Sequence, residues 1–490
     1  MTSIWNTSFR RLCMVVPVAA LCAVSTGRAC AEITRVEVHD SGSMGTFGGR
    51  EYTWVSAHME GAVARDDGTT GRYRVPITLN YPDRDANGIG LVDIVNTGAF
   101  TNFFDETAPL GRRDTGYRAD GILSDFPRRE GFTYLSVQWS RMATEQLGPD
   151  YGVIENGLDG WEIVKDAARL LRAPQSVGGD LPSGLPSVER VIGFGYSQTG
   201  RLLRQLVAGG QNREADGRLV FDGILAGGAT TCLVMNNDEA PRENDPGEPT
   251  YPTYNAQAPC ALPFPEDGKF IYIMTQTEIE RALVDADRPI VRQETPSYRQ
   301  YELAGVAHIP AVAGRPLRSL GARRQNPVGF QPVYKAMLRH LVAWIDDGKE
   351  LPPPLYIEGS LGADGKVHMA LDADGNALGG VRLPHMASTL PNGEPAGAPL
   401  GVYGGVDLEL RQPGMGFASQ GGTFEPFPPG EIARRYPTRE AYVDLVRKAA
   451  DALYADAYIL EEDRDAYVRE AERRPLTPVI IDPLAIVERV

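Results

Sequence analysis

The decapeptide Val191-Ile-Gly-Phe-Gly-Tyr-Ser-Gln-Thr-Gly200 sets a hydroxyl nucleophile among glycines, where a strand-type segment meets a helix-type segment. Val188, Arg190, Val191, Ile192 and Phe194 form a short apolar run of strand character. Leu202, Leu203 and Leu206 space an apolar face along Gln198 to Ala208, which predicts a helix. Ser197 therefore falls on a strand-to-helix turn. Gly195 has no Cβ and permits a sharp reversal, so the serine Oγ would project off the strand end into a cleft. The first amides of the following helix, and its dipole, favour negative charge developing at that place. Such a turn suits nucleophilic attack on an acyl group.

Two other glycine motifs fail on residue type. A dinucleotide fingerprint starting at Gly193 needs a glycine where Gln198 stands, and a phosphate loop from Gly195 needs Lys then Ser or Thr where Arg201 and Leu202 stand. A serine in an ordinary turn is the plain alternative, and partner residues must separate the two readings. A serine hydroxyl needs a neighbouring base and a third group that orients the base. Of six histidines, His308 lies just past the strand-like run Tyr298 to Leu303, C-terminal to the serine, and is the expected base. His39 and His58 lie in the N-terminal region, His340 sits inside a helical pattern, and His368 and His385 lie in the C-terminal third. Glu278 is the first carboxylate beyond the run Lys269 to Met274, giving the chain order serine, acid, histidine; Glu280, Asp285 and Asp287 are its rivals. The oxyanion donors are expected to be the backbone amides of Gln198 and of Thr97, the latter in the Asn96-Thr97-Gly98 loop. Tyr196, Tyr251 and Tyr254 are the expected substrate contacts.

The elements that must hold these residues follow from the periodicity. From Ile33 to Pro82, alternation in Arg35 to His39 and Tyr73 to Leu79 predicts antiparallel strands. From Gly90 onward, strands (Leu91 to Val95, Phe132 to Val137, Leu219 to Ala226, Lys269 to Met274, Tyr298 to Leu303) alternate with helices (Asp159 to Leu171, Gln198 to Ala208, Val333 to Asp346). This is the pattern of an α/β fold, a mostly parallel sheet with helices on both faces, whose ligands bind at the carboxyl ends of the strands.

The Gly-Tyr-Ser-Gln-Thr-Gly turn, Gln276-Thr-Glu278 after a strand and Gly305-Val-Ala-His308 together resemble the α/β-hydrolase superfamily. More narrowly, Tyr301-Glu-Leu-Ala-Gly-Val-Ala-His308 with Tyr436, a helix from Arg439 to Leu460 and Glu461-Glu-Asp463 resembles a bacterial group called alpha/beta hydrolase domain-containing proteins. The similarity extends over nearly all of the chain after its first 31 residues. It implies an α/β-hydrolase fold and a Ser-acid-His triad on Ser197, His308 and Glu278, and it implies no substrate. One departure stands out: the G-x-S-x-G pattern needs glycine at 199, where Thr199 stands, with Gly200 one place later.

Residues 1–31 resemble a secretory signal, with Arg10-Arg11, an apolar run from Leu12 to Val24 and Ala29-Cys30-Ala31 for cleavage. The apolar run is too short to span a bilayer. A periplasmic or secreted enzyme without a stable membrane anchor is therefore expected. Loss of this segment, which carries three arginines and no acid, leaves 46 basic against 64 acidic residues, a net charge of −18. That surface repels nucleic acid and anionic lipid. The expected organisation is residues 32–89 as the antiparallel lead-in, 90–350 as the core with a lid at 232–260, and 351–490 as a C-terminal extension packed on the core.

Asp372-Ala-Asp-Gly-Asn376 has its glycine too early for a calcium loop and Leu383 where the closing glutamate belongs, so it predicts a hairpin turn. Tyr442, Leu445, Val446, Ala449 and Leu453 form a helical core stripe, with a further helix up to Arg474. No metal and no organic cofactor is expected. The function that these readings support is hydrolysis of a small-molecule carboxylic ester. The alternatives are acyl transfer from the same acyl-serine to an alcohol or amine, and an inactive binding protein on the same fold.

Of five cysteines, three leave with the signal, and Cys232 and Cys260 remain in an oxidising compartment. A disulfide between them would clip the lid and stabilise the fold by roughly 3 to 4 kcal/mol in the chain-entropy model. Thiol titration of the denatured secreted protein is expected to find no free thiol before reduction and two after it. Two thiols without reduction would exclude the bridge.

Overall fold

The computed structural model describes residues 30–65, 68–95, 123, 125–228, 267–284, 292, 294–309, 324–361, 363, 367–410 and 418–476. Three strands, β1 (Cys30–Phe47), β2 (Arg50–Ala64) and β3 (Thr70–Pro82), run antiparallel in sequence, as their alternation predicts. β1 begins two residues upstream of the expected cleavage point, with Cys30 and Ala31 paired to Ala64 and Val63. Then strands and helices alternate. They are β4 (Ile89–Ile94), α1 (Phe126–Arg129), β5 (Thr133–Val137), α2 (Arg141–Leu147), β6 (Val153–Ile154), α3 (Gly160–Arg172), β7 (Arg190–Tyr196) and α4 (Gln198–Ala208). β8 (Gly223–Gly227), β9 (Lys269–Thr275), α5 (Gln276–Val284), β10 (Tyr298–Ala304) and α6 (Gln331–Asp347) complete the core. The C-terminal region carries short hairpins and the helices α7 (Pro429–Arg435), α8 (Arg439–Ala455) and α9 (Glu461–Arg473).

One sheet contains the strands in the order β1-β2-β3-β5-β4-β7-β8-β9-β10, with Val381–Arg382 at the far edge and β6 beside β3. β3 meets β5 antiparallel, and every pairing from β5 to the far edge is parallel. β4, β5 and β8 are buried at every position, the continuous apolar burial of strands covered on both faces. The register assigns the helices to faces. A Cβ at Gly193 on β7 would touch Leu203 of α4, and a Cβ at Gly90 on β4 would touch Leu171 of α3. Gly193 pairs with Ile224 and Gly90 with Val191, so α3 and α4 share one face. A Cβ at Gly223, beside Ile224, points the other way, onto Leu341 and Ile345 of α6. Helices thus cover both faces, and this is the α/β-hydrolase fold expected from the sequence.

Two element boundaries shift by four residues or more, and one residue is placed otherwise than expected. Residues 219–222 were expected in a strand, but β8 starts at Gly223. The Asn212 side chain takes both backbone groups of Phe221, at 2.9 and 3.0 Å, and Val220 N–H bonds Asn212 O, so Val220 and Phe221 are held on Asn212 rather than in the ladder. The helix from Arg439 stops at Ala455 rather than Leu460, because the chain reverses at Ala457, whose φ is 64°. Glu278 lies in the first turn of α5 and not in a loop. At Asp372 a turn forms, with Gly375 at φ 89° and Leu371 bridged to Ala377. Its carboxylates pair with arginines, Asp372 with Arg382 and Asp374 with Arg435.

The C-terminal region is tied to the core by polar anchors. Tyr301 and Tyr458 hydroxyls donate to Pro352 O and Pro353 O, and Glu462 at the start of α9 accepts from both Arg129 and Lys335. A buried carboxylate adds to these anchors: Glu302 on β10, 0% exposed, accepts from Arg292 Nε and Nη2 at 2.7 Å and from Ile357 N at 2.8 Å. Glu302→Ala is expected to cost about 3 kcal/mol in urea unfolding. Arg292 and Ile357 N lose their acceptor, and a partly exposed Arg292 keeps the cost at the low end for a buried pair. A loss below about 1 kcal/mol would mean that water replaces the carboxylate.

Candidate active site

Ser197 stands between the end of β7 and the first residue of α4, with φ 58° and ψ −115°, a backbone region that side chains other than glycine rarely adopt. The surroundings hold it there. Its N–H bonds Gly227 O at 2.8 Å, and Arg201 N–H closes the first helical turn onto Ser197 O at 3.2 Å. A Cβ at Gly195 would lie 2.7 Å from Thr199 O, so the turn closes only over glycine. The departure at Thr199 is absorbed locally: its Oγ1 accepts from Tyr196 N at 3.0 Å and donates to Tyr196 O at 3.1 Å. The close helix-to-strand approach falls one residue later, at Gly200, where a Cβ would run into Gly227 O of β8.

His308 follows β10 and turns its imidazole back over the sheet edge. Its Nε2 is 2.9 Å from Ser197 Oγ and its Nδ1 is 2.7 Å from Glu278 Oε1. Glu278 Oε2 accepts from Thr275 N at 2.6 Å and Thr275 Oγ1 at 2.7 Å, so both carboxylate oxygens are used. The rival Glu280 is bound elsewhere, to Gln276 Nε2 at 2.6 Å and Gly405 N at 3.0 Å; Asp285 and Asp287 lie outside the described residues. Glu278 and His308 are buried, at 4% and 5% exposed. Burial pushes the Glu278 carboxyl up, but the His308 charge and hydrogen bond and the two Thr275 donors outweigh it. The group is held below the usual carboxylate value.

Support residues that the sequence reading passed over complete the arrangement. Thr277 Oγ1 accepts from His308 N at 2.7 Å and donates to Gly405 O at 2.5 Å. The Gln276 side chain accepts from Gly305 N at 2.6 Å and reaches Tyr403 O at 3.3 Å. The signal for them was weak: the Thr-Gln-Thr-Glu run is visible, but its partners lie about 30 and 130 residues away. Tyr196, expected to touch substrate, is placed otherwise. It is 1% exposed, its ring stacks on Phe330 at 5.3 Å and its hydroxyl donates to His308 O at 2.7 Å. The strand pleat turns it to the α6 face, under the histidine loop, with its ring 5.0 Å from the His308 ring.

Thr97, Tyr251, Tyr254, Cys232 and Cys260 lie outside the described residues. The chain is described up to Val95, whose N–H bonds Val137 O and whose O accepts from Trp139 Nε1 at 2.9 Å. The carboxyl end of β4, next to β7, is therefore anchored where the Thr97 segment departs. Gln198 opens α4, so its amide belongs to the helix N-terminus beside the serine.

Fold and site together define an α/β hydrolase. The family described as "Alpha/beta hydrolase domain" matches residues 128–469, more than two thirds of the chain, and the chain belongs to that family. No curated protein matches it. Among solved structures it is similar to Candida antarctica lipase A in its closed state, at 15% identity over 40% of this chain and 43% of that chain, with a TM-score of 0.23. It is also similar to the esterase Est22, at 13% identity over 49% of this chain and 64% of that chain, with a TM-score of 0.24. A hyperthermophilic esterase from the archaeon Pyrobaculum calidifontis matches at 14% identity over 54% of this chain and 76% of that chain, with a TM-score of 0.27. The chain spans less than two thirds of the lipase and of Est22.

A carboxyl held lower in the folded chain than in the unfolded one stabilises the fold above its ordinary value of 4.5, and that contribution fades as pH falls through the folded value. Glu278→Gln is therefore expected to lose stability relative to wild type near neutral pH and to converge on it in acid. Urea unfolding across a pH series checks this; a gap that stays constant into acid would place the ion pair outside the stability balance.

Proposed function

We propose that this α/β hydrolase is a serine hydrolase that cleaves a carboxylic ester through an acyl-serine intermediate. The observation that carries the reading is the unbroken relay from Ser197 Oγ to His308 Nε2 at 2.9 Å and from His308 Nδ1 to Glu278 at 2.7 Å, at a turn that presents the serine. In this reading Ser197 Oγ attacks the carbonyl carbon and its proton passes to His308 Nε2. Glu278 accepts the Nδ1 hydrogen bond, fixes the ring and stabilises the imidazolium. The leaving alcohol takes the proton from Nε2. Water then enters, gives a proton to His308 Nε2 and attacks the acyl carbon; the bond from that carbon to Ser197 Oγ breaks, Nε2 returns the proton to Oγ, and the acid leaves.

The oxyanion that forms twice is assigned to the amides of Gln198 and Thr97, with the N-terminal end of α4 adding its dipole. Export by residues 1–31, a periplasmic or secreted location, and a lid at 232–260 carrying Tyr251 and Tyr254 belong to the same reading and rest on the sequence. Among the described residues no helix is long and apolar enough to cross a membrane.

The test pairs fluorophosphonate labelling with hydrolysis of short p-nitrophenyl esters. Wild type is expected to label and turn over, and Ser197→Ala to lose labelling and at least about 10⁴-fold in kcat. Turnover that survives in the variant would remove Ser197 as nucleophile.

A further inference from the structure

We propose that Glu37, His39 and His58 form a binding site for one zinc-class divalent cation that clips β1 to β2. Glu37 pairs directly with His58 across the two strands, and His39 lies two residues on from Glu37, beside a register shift between Val38 and Asp40. Residues two apart share a face of a strand, so all three side chains stand on one side of the sheet. One donor atom from each lies within 4.8 Å of the other two.

The hydrogen bonds assign the donors. His58 Nε2 is 2.8 Å from Tyr151 O, and a carbonyl only accepts, so Nε2 carries the hydrogen and Nδ1 carries the lone pair. That lone pair faces His39 Nε2 at 2.6 Å, with the two rings nearly perpendicular at 87°. An imidazole whose far N–H is fixed on a backbone carbonyl is the arrangement that orients metal-ligating histidines. Glu37 gives one oxygen to Arg74 at 3.0 Å and has a second for a cation. Arg74 also pairs with Glu60 at 3.4 Å, so its charge is shared between two carboxylates. Two imidazoles and one carboxylate match zinc, and not the oxygen-rich cages of calcium or magnesium.

To take the ion, the two facing nitrogens must open from hydrogen-bond distance to about 3.3 Å, as tetrahedral zinc–nitrogen bonds of about 2.0 Å require. His58 is buried and fixed, and His39 is exposed and can make that movement. The His39 proton passes from Nε2 to Nδ1 through water, so both nitrogens then offer lone pairs, and water completes the fourth position. β2 is four strand positions from β7, about 19 Å across the sheet, so the site is structural and separate from Ser197. The sequence reading expected no metal, and the cluster exists only through the β1/β2 register.

Isothermal titration of metal-stripped full-length protein with zinc chloride tests it, with magnesium chloride as the control ion. Wild type is expected to bind one zinc per chain and to gain thermal stability from it, and to do neither with magnesium. His39→Ala, at an exposed position, and Glu37→Gln as a second variant are expected to weaken zinc binding at least about ten-fold and to lose the thermal shift. No stoichiometric binding by folded wild type, or equal zinc affinity in wild type and both folded variants, overturns the site.

Discussion

The backbone at Ser197 is the constraint on which the rest of the active region depends. A non-glycine residue at φ 58° costs energy that surrounding contacts must offset. They come from three elements at once: Gly195 and Thr199 on either side of the turn, Gly227 O at the end of β8, and the close seating of Gly200 against that strand. The contacts to Gly227 O and the seating of Gly200 require β7 and β8 to be parallel and in register. The sheet thus comes first energetically, and the reactive turn is a local strain supported by it.

The histidine and acid are positioned by different means. Parallel order brings the carboxyl ends of β7, β9 and β10 to one edge, so residues 197, 278 and 308 meet although about 30 and 110 positions separate them. Strand ends are not precise enough to orient an imidazole. That orientation comes from Thr277 under the His308 amide, from Thr275 closing the second oxygen of Glu278, and from Tyr196 reaching His308 O from below. Thr277 also bonds Gly405 O, so the C-terminal region takes part in holding His308. This gives the last third of the chain a role near the site.

The antiparallel lead-in has a separate character. β1 and β2 are long, and their register brings Glu37, His39 and His58 together at a surface far from the serine. A hydrolase core needs only a covered sheet edge at that end, so a cluster of two imidazoles and a carboxylate there calls for its own explanation. A cation that ties the outer two strands would act on the edge most prone to fraying, while leaving the strained turn unchanged.

Strand-to-helix alternation and the glycine-flanked serine determined the fold class, the location of Ser197, and the chain order of the candidate nucleophile, acid and histidine. Those signals are local: apolar periodicity and glycine placement depend on neighbours within a few residues. The candidate pair Glu278 and His308 was legible because each sits just past a recognisable strand, and strand ends gather at one edge of a parallel sheet. Residues 219–222 misled because an apolar run cannot reveal that Asn212 captures the backbone of Phe221. Tyr196 misled because adjacency to the serine says nothing about which side of the pleat a ring occupies. The identity of the supporting threonines, the seating of Gly200 and the Glu37-His39-His58 cluster were decided only in three dimensions. Each depends on register between segments distant in sequence, which no local pattern encodes.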